Sequence, residues 1–238
     1  MAPKQARLEV TPSEPITALT YPAAARHRSG ICLILAHGAG ANQTSAFMLR
    51  FATGLAARGI DTVTFNFIYT ERGKRLPDRS DRLEACYRKV IEAVQSGALG
   101  KALAQDRLAI GGKSMGGRIA SQVAAAAPDG IAGLVFLGYP LHPPGRPEKL
   151  RSKHLPDIRA PMLFVQGERD AFGAPAELER LFGGLRAPAD LVAVDGGDHS
   201  FKVPKKAPVP QEAVYDFVLD EIVRWLHRTL GARLGPRP

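Results

Sequence analysis

Gly111-Gly112-Lys113-Ser114-Met115-Gly116-Gly117-Arg118 is the stretch that decides the fold. Before it stands Arg107-Leu108-Ala109-Ile110, short, apolar and of strand character, and after it Ile119–Ala127, an alanine-rich helix former. Gly-x-Ser-x-Gly between a strand and a helix is the pattern of a nucleophile elbow, in which a sharp turn holds the serine hydroxyl at its tip. Glycine on either side lets the chain turn where a Cβ would collide with neighbouring backbone. With 24 glycines in 238 residues the pentapeptide alone is weak evidence, so Ser114 needs partners from elsewhere in the chain.

Working outward, strand-like and helix-like segments alternate. Arg7–Thr11 and Ile16–Tyr21 form an antiparallel start, and Ile31–Ala36 is continuously apolar, as expected of a strand covered on both faces. It ends in His37-Gly-Ala-Gly-Ala-Asn42. Met48, Phe51, Ala52, Leu55 and Ala56 keep helical spacing, with Gly59 as the stop. Asp61–Asn66 is β-rich. Leu83, Cys86, Tyr87, Val90, Ile91 and Val94 mark the next helix, with Asp78 or Ser80 as its cap. Ile131–Leu137, Pro161–Val165 and Asp190–Val194 read as further strands, and Pro175–Leu185 as a helix. Residues 138–160 carry prolines and charges without periodicity and read as loop. The last helix places Val214, Phe217, Val218, Ile222, Trp225, Leu226 and Thr229 on one buried face. This alternation predicts an α/β fold of three layers, a mostly parallel twisted sheet with helices on both faces. Residues 1–230 are expected to form a single domain and 231–238 a flexible tail.

Composition excludes several classes. Hydrophobic content of 45% and charged content of 23% are ordinary for a globular protein. No apolar run is long enough to span a bilayer, and the amino-terminal Met-Ala-Pro-Lys-Gln-Ala-Arg lacks a signal core, so a cytoplasmic protein without a membrane role is expected. Cys32 and Cys86, the two cysteines, sit on apolar stripes and read as buried small hydrophobes, neither a disulfide pair nor metal ligands. The formal charge of +9 is spread among acids, as in Glu71–Arg82, and no stacking aromatics or helix-turn-helix accompany it, which argues against a nucleic-acid partner.

In a sheet of this kind ligands bind at the carboxyl ends of the strands, and those ends supply Ser114 with partners. A serine hydroxyl becomes a useful nucleophile when a base takes its proton and an acid orients that base. Here Ser114 follows one strand, Asp170 a later one and His199 the last, the order Ser, Asp, His expected of this architecture. Glu168 is the rival to Asp170, while Asp195 and Asp198 stand too near His199 in sequence to reach around its ring. Backbone N–H groups of Met115 and Ala39 are the expected oxyanion donors, with Gly40 as alternative to Ala39. His37 is expected to orient its turn, and Gly40 and His142 to line the pocket. Lys113 and Arg118 read equally as electrostatic or solvated groups. Two phosphate-binding readings fail: a P-loop ending at Gly112-Lys113-Ser114 needs glycine where Arg107 stands, and a dinucleotide fingerprint beginning at Gly38-Ala-Gly40 needs glycine where Gln43 stands.

Taken together, His37–Asn42, Phe65–Arg79, Gly111–Arg118, Gly138–Gly145, Gly167–Asp170 and Gly197–Ser200 resemble the α/β-hydrolase superfamily over roughly residues 7–230. Within it the chain is similar to the small hydrolases that include testis-expressed protein 30, and more distantly to dienelactone hydrolases, which carry cysteine where this chain has Ser114. The resemblance implies an α/β-hydrolase fold without a large lid domain and a Ser114–His199–Asp170 triad, with neither metal nor organic cofactor. The expected activity is that of a serine carboxylesterase on small-molecule or polymeric esters with short or exposed acyl groups. A lactone or thioester hydrolase is the alternative, and so is a noncatalytic interaction module, because some relatives are noncatalytic subunits of chromatin complexes.

Overall fold

The computed structural model describes residues 2–104, 107–127 and 129–231. Eight strands form one sheet: β1 Lys4–Thr11, β2 Glu14–Tyr21, β3 Cys32–Ala36, β4 Asp61–Phe65, β5 Leu108–Lys113, β6 Gly133–Leu137, β7 Met162–Gly167 and β8 Ala189–Val194. Their order is β1-β2-β4-β3-β5-β6-β7-β8. β2 pairs antiparallel with both β1 and β4, and the pairs from β4 through β8 are parallel. The expected tail from residue 232 onward lies outside the described residues.

Side-chain alternation along the strands divides the core. Cys32, Ile34 and Ala36 of β3 face one layer, which contains α2 Ile68–Glu71, α3 Ser80–Gln95, α4 Met115–Ala126 and α5 Pro175–Phe182. Leu33 and Leu35 face the other, made by α1 Ala46–Ala57 and α6 Gln211–Leu230. A period of two puts successive residues on opposite faces, so a strand covered on both must be apolar throughout, which is why β3 reads as an unbroken run. The three-layer, mainly parallel architecture is the one expected. The connection from β6 to β7 holds one short 3-10 turn, Leu155–Asp157, and no lid helices.

Three local expectations need correction. α3 is preceded by extended Arg79, and neither Asp78 nor Ser80 caps it; Ser80 is its first residue and its hydroxyl donates to Gln122 Oε1 at 3.0 Å. Phe217 is 46% exposed, because the apolar stripe of α6 is narrower than helical spacing alone suggests. α5 stops at Phe182 rather than Leu185, where Gly183-Gly184 follows.

Candidate active site

β5 passes into α4 with Ser114 as the single hinge residue, at φ 52° and ψ −117°. A positive φ at a non-glycine residue stores strain on the order of 1–3 kcal/mol and persists where surrounding structure enforces it. The enforcement is visible here. Ser114 N–H donates to Leu137 O of β6 at 3.0 Å, and Arg118 N–H donates to Ser114 O at 3.1 Å. A Cβ on Gly116 would lie 2.3 Å from Ala36 O, and one on Gly112 2.4 Å from the same oxygen. α4 therefore crosses the end of β3 at backbone contact, and the glycines flanking Ser114 are what permit it.

His199 comes from the turn after β8. Its Nε2 lies 2.8 Å from Ser114 Oγ, and its Nδ1 lies 2.7 Å from Asp170 Oδ2. A carboxylate can only accept, so Asp170 selects the tautomer with the proton on Nδ1 and leaves Nε2 to accept from the serine. Asp170 stands in the turn after β7 with its side chain fully buried. Phe172 N–H donates to its Oδ1 at 2.8 Å and Gln166 Nε2 to its Oδ2 at 2.8 Å, so the buried carboxylate is satisfied on both oxygens. Gln166 also donates to Gly173 O at 2.7 Å, tying the whole turn to β7. Glu168 points elsewhere and accepts from Gly196 N–H at 3.0 Å. Asp198 accepts from Ser200 N–H and Lys202 N–H, which shapes the histidine turn from within. The Phe172 ring lies against His199 at 4.3 Å between centroids and limits its rotation.

Lys113, the residue before Ser114, supports the same turn. Its Nζ donates to His199 O at 2.6 Å and lies 5.7 Å from the centre of the Phe47 ring. Burial pushes its pKa down to about 7, with Asp170 and Asp198 opposing the shift.

A cavity of about 710 Å³ opens beside Ser114, lined among others by Ala39, Met115, Arg118, Arg151, Phe172 and His199. Met115 is the first residue of α4, so its N–H has no acceptor inside the helix. Gly38 sits against Ser114: a Cβ there would be 3.6 Å from Ser114 Cβ, and Ala41 N–H closes the turn onto Gly38 O at 3.2 Å. Ala39 is thereby held at the cavity wall. His37 is fully buried below this turn, where its Nδ1 pairs with Gly38 O at 2.9 Å and its Nε2 accepts from Phe67 N–H at 3.4 Å. Burial lowers its pKa to about 4, so the ring stays neutral and orients the turn.

The local geometry can raise the nucleophilicity of one hydroxyl beside a space large enough for a small molecule. The alpha/beta hydrolase domain family matches residues 29–227. The chain belongs to this family. Solved structures share its fold at low sequence identity. A dienelactone hydrolase from Anabaena variabilis is 20% identical with a TM-score of 0.72, over 96% of this chain and 99% of that one. An alpha-beta serine hydrolase homologue from Coxiella burnetii is 18% identical with a TM-score of 0.70, over 97% and 98%. A serine hydrolase without a lid from Xanthomonas campestris is 19% identical with a TM-score of 0.69, over 100% and 98%.

In this alpha/beta hydrolase two expected pocket residues stand away from the cavity. Gly40 is the exposed apex of its turn at φ 71°, and a Cβ there would meet nothing within 4 Å. His142 is 5% exposed, and its ring is held by Pro143 O at 2.9 Å and Glu177 Oε2 at 3.1 Å, which ties the loop after β6 to α5. Conversely, Arg151 and Phe172 line the cavity without having been singled out in the sequence. Phe172 follows Asp170 by two residues, and its place in the same turn is the sequence signal for it. Arg151 lies in an aperiodic loop that offers no such signal. Among the described residues no helix is long and apolar enough to cross a membrane.

Proposed function

We propose that the protein is a serine hydrolase of carboxylic esters, with Ser114 as nucleophile, His199 as general base and acid, and Asp170 as the orienting carboxylate. The observation that carries this reading is the unbroken chain Ser114 Oγ–His199 Nε2, 2.8 Å, and His199 Nδ1–Asp170 Oδ2, 2.7 Å, at the wall of the cavity. Ser114 Oγ attacks the ester carbonyl carbon while its proton passes to His199 Nε2. The carbonyl oxygen, now negative, is held by the N–H groups of Met115 and Ala39, each such donor contributing about 3–4 kcal/mol in the transition state. The imidazolium returns its proton to the departing alcohol, leaving an acyl group on Ser114. Water then attacks that acyl carbon, gives its proton to His199, and the carboxylic acid leaves as the proton returns to Ser114.

The short β6–β7 connection leaves the cavity uncapped, which supports short acyl esters or the exposed ends of bulky and polymeric ones as substrates. Lactones and thioesters pass through the same tetrahedral intermediate and belong in the same panel. The test is a panel of short p-nitrophenyl esters, lactones and thioesters on the purified protein beside Ser114→Ala, with fluorophosphonate labelling in parallel. Wild type is expected to hydrolyse at least one class and to take the label, with kcat lowered about 10⁴-fold or more in the variant. Undiminished hydrolysis in Ser114→Ala would sink the mechanism, and a folded wild type that neither labels nor hydrolyses would favour a noncatalytic module.

A further inference from the structure

The cavity beside Ser114 is lined by three basic side chains, Lys113, Arg118 and Arg151, and by one acid, Asp78. Lys113 is committed to the carbonyl of His199. Arg82 stands 3.7 Å from Asp78 and offsets its charge. Arg118 and Arg151 are left, and among the described residues neither has a carboxylate within ion-pair distance. Several other partly buried arginines do have one, Arg28 with Asp61, Arg50 with Glu212, Arg58 with Asp216 and Asp220, and Arg82 with Glu14, whereas the arginines that lack one include solvent-exposed side chains such as Arg146.

The placement of Arg118 is electrostatically unfavourable. Arg118 is the fourth residue of α4, where the positive end of the helix dipole disfavours a cation. It is only partly exposed; burial, and next the charge of Arg151, hold its guanidinium below the ordinary arginine value. Glu84, the carboxylate that opposes this, is engaged by Arg88 at 3.2 Å. The Arg118 guanidinium and the Arg151 backbone are nevertheless held in place. Arg118 Nη1 donates to Gln122 Oε1 at 3.3 Å, which also accepts from Ser80. The backbone of Arg151 is pinned on both sides, its N–H donating to Leu141 O at 2.7 Å and its carbonyl accepting from the buried Tyr139 hydroxyl at 2.8 Å.

Two like charges on the wall of one cavity, close enough for Arg151 to act on Arg118 and without a carboxylate partner, are complementary to an external oxyanion, which a guanidinium fork binds with paired hydrogen bonds. We propose that Arg118 and Arg151 form a receptor for an anionic group of the substrate, so that the protein acts on esters bearing a carboxylate or phosphate at a distance from the scissile carbonyl. The proposal rests on the hydrolytic reading above for the identity of the reacting bond; the receptor itself stands on the arginine geometry.

The experiment uses the full chain and three methyl esters: monomethyl glutarate, the carboxyl methyl ester of 4-phosphonobutyric acid, and neutral dimethyl glutarate. The kcat/KM for at least one anionic ester is expected to exceed that for dimethyl glutarate about tenfold or more, and which of the two leads tells whether a carboxylate or the phosphonate, as a stand-in for phosphate, is preferred. Arg118→Gln and Arg151→Gln should each lower the anionic-to-neutral ratio about tenfold, and added salt should lower it in wild type. Arg146→Gln, an exposed arginine of the same loop that lies off the cavity, should keep it. A wild-type ratio near one, or a ratio unmoved in both variants while hydrolysis still depends on Ser114, overturns the receptor and leaves the hydrolytic reading standing. Should hydrolysis prove independent of Ser114, calorimetric binding of the two anionic esters to folded Ser114→Ala decides the receptor alone. Affinity weakened about tenfold by adding Arg118→Gln or Arg151→Gln supports it, and no binding or equal affinity overturns it.

Discussion

Lys113 and His199 are joined through a backbone carbonyl, and that contact gives a residue-scale feature with a measurable consequence. The ammonium of Lys113 is buried with its Nζ on His199 O, at 2.6 Å, and its pKa is pushed from 10.5 to about 7 by burial. Between those two values the unfolded chain carries a proton on this lysine that the folded protein does not. Stability from this group therefore rises as pH increases from about 7 to about 10.5, and is lost as pH falls back toward 7. One proton fully exchanged corresponds to a slope of about 1.4 kcal/mol per pH unit. Urea denaturation of wild type and Lys113→Met across this range should show wild type gaining on the variant as pH rises. The difference between the two is the quantity to follow, since Cys32 and Cys86, with thiols pushed up to about 12 and about 11, act in the opposite sense in both proteins. A pH-independent difference would mean that Lys113 keeps its solution pKa when folded. The composition of Gly-Lys-Ser-Met could name this lysine but not its environment, because burial of a cation depends on the Phe47 ring and the histidine turn, which reach it from other parts of the chain.

At the scale of elements, the site depends on one strand-to-helix junction. α4 can follow β5 without an intervening loop because Gly112 and Gly116 let it lie on Ala36, the last residue of β3, and on His37 after it. Gly116→Ala would place a Cβ 2.3 Å from Ala36 O and 2.8 Å from His37 O, both backbone atoms that cannot turn away. α4 would have to lift from the sheet and carry Ser114 with it. We expect kcat/KM on esters to fall about 100-fold, the order of loss that a displacement near 1 Å produces, with about 1–3 kcal/mol of stability lost to overpacking. Activity within a few-fold of wild type, at comparable stability, would show that the junction tolerates the methyl group. This junction was legible because it is local: the strand, the glycines, the serine and the helix follow one another in sequence. The turn after β7 was half legible, since Asp170 and Glu168 occupy one short segment, and only the direction of each side chain separates the group on His199 from the group on Gly196. His142 was misread for a related reason, its ring turning away from the cavity to meet Glu177 on α5. Arg151 had neither periodicity nor a glycine turn to mark it, and its place beside Arg118 comes from how the β6–β7 loop folds back.

For the molecule as a whole, the strand–helix alternation was enough to give the layer order, because it is written in the period of apolar residues along every segment. The closing of the second layer rests on α6 and is less evident in the sequence. Its single tryptophan, Trp225, is 2% exposed and lies over β6, where a Cβ on Gly133 would come within 3.2 Å of the indole. The indole N–H donates to Asp190 Oδ2 of β8 at 2.7 Å, and Arg58, just past the end of α1, pairs with Asp216 and Asp220 of α6. One side chain thus joins α6 to two strands of the sheet. Trp225→Ala would open a large cavity there and remove the donor to Asp190, for a loss of about 3–5 kcal/mol. In a chain of this size that lowers the melting temperature by on the order of 10 °C. Trp225 packs at the amino end of β6, and Ser114 lies past the carboxyl end of the neighbouring β5, so about 13 Å of strand separates the lesion from the site. Ester hydrolysis measured well below the new melting temperature should then stay near the wild-type rate while thermal stability falls. A melting temperature unchanged by circular dichroism would mean that α6 does not carry the second layer, and a normal melt with lost activity would place Trp225 in contact with the site.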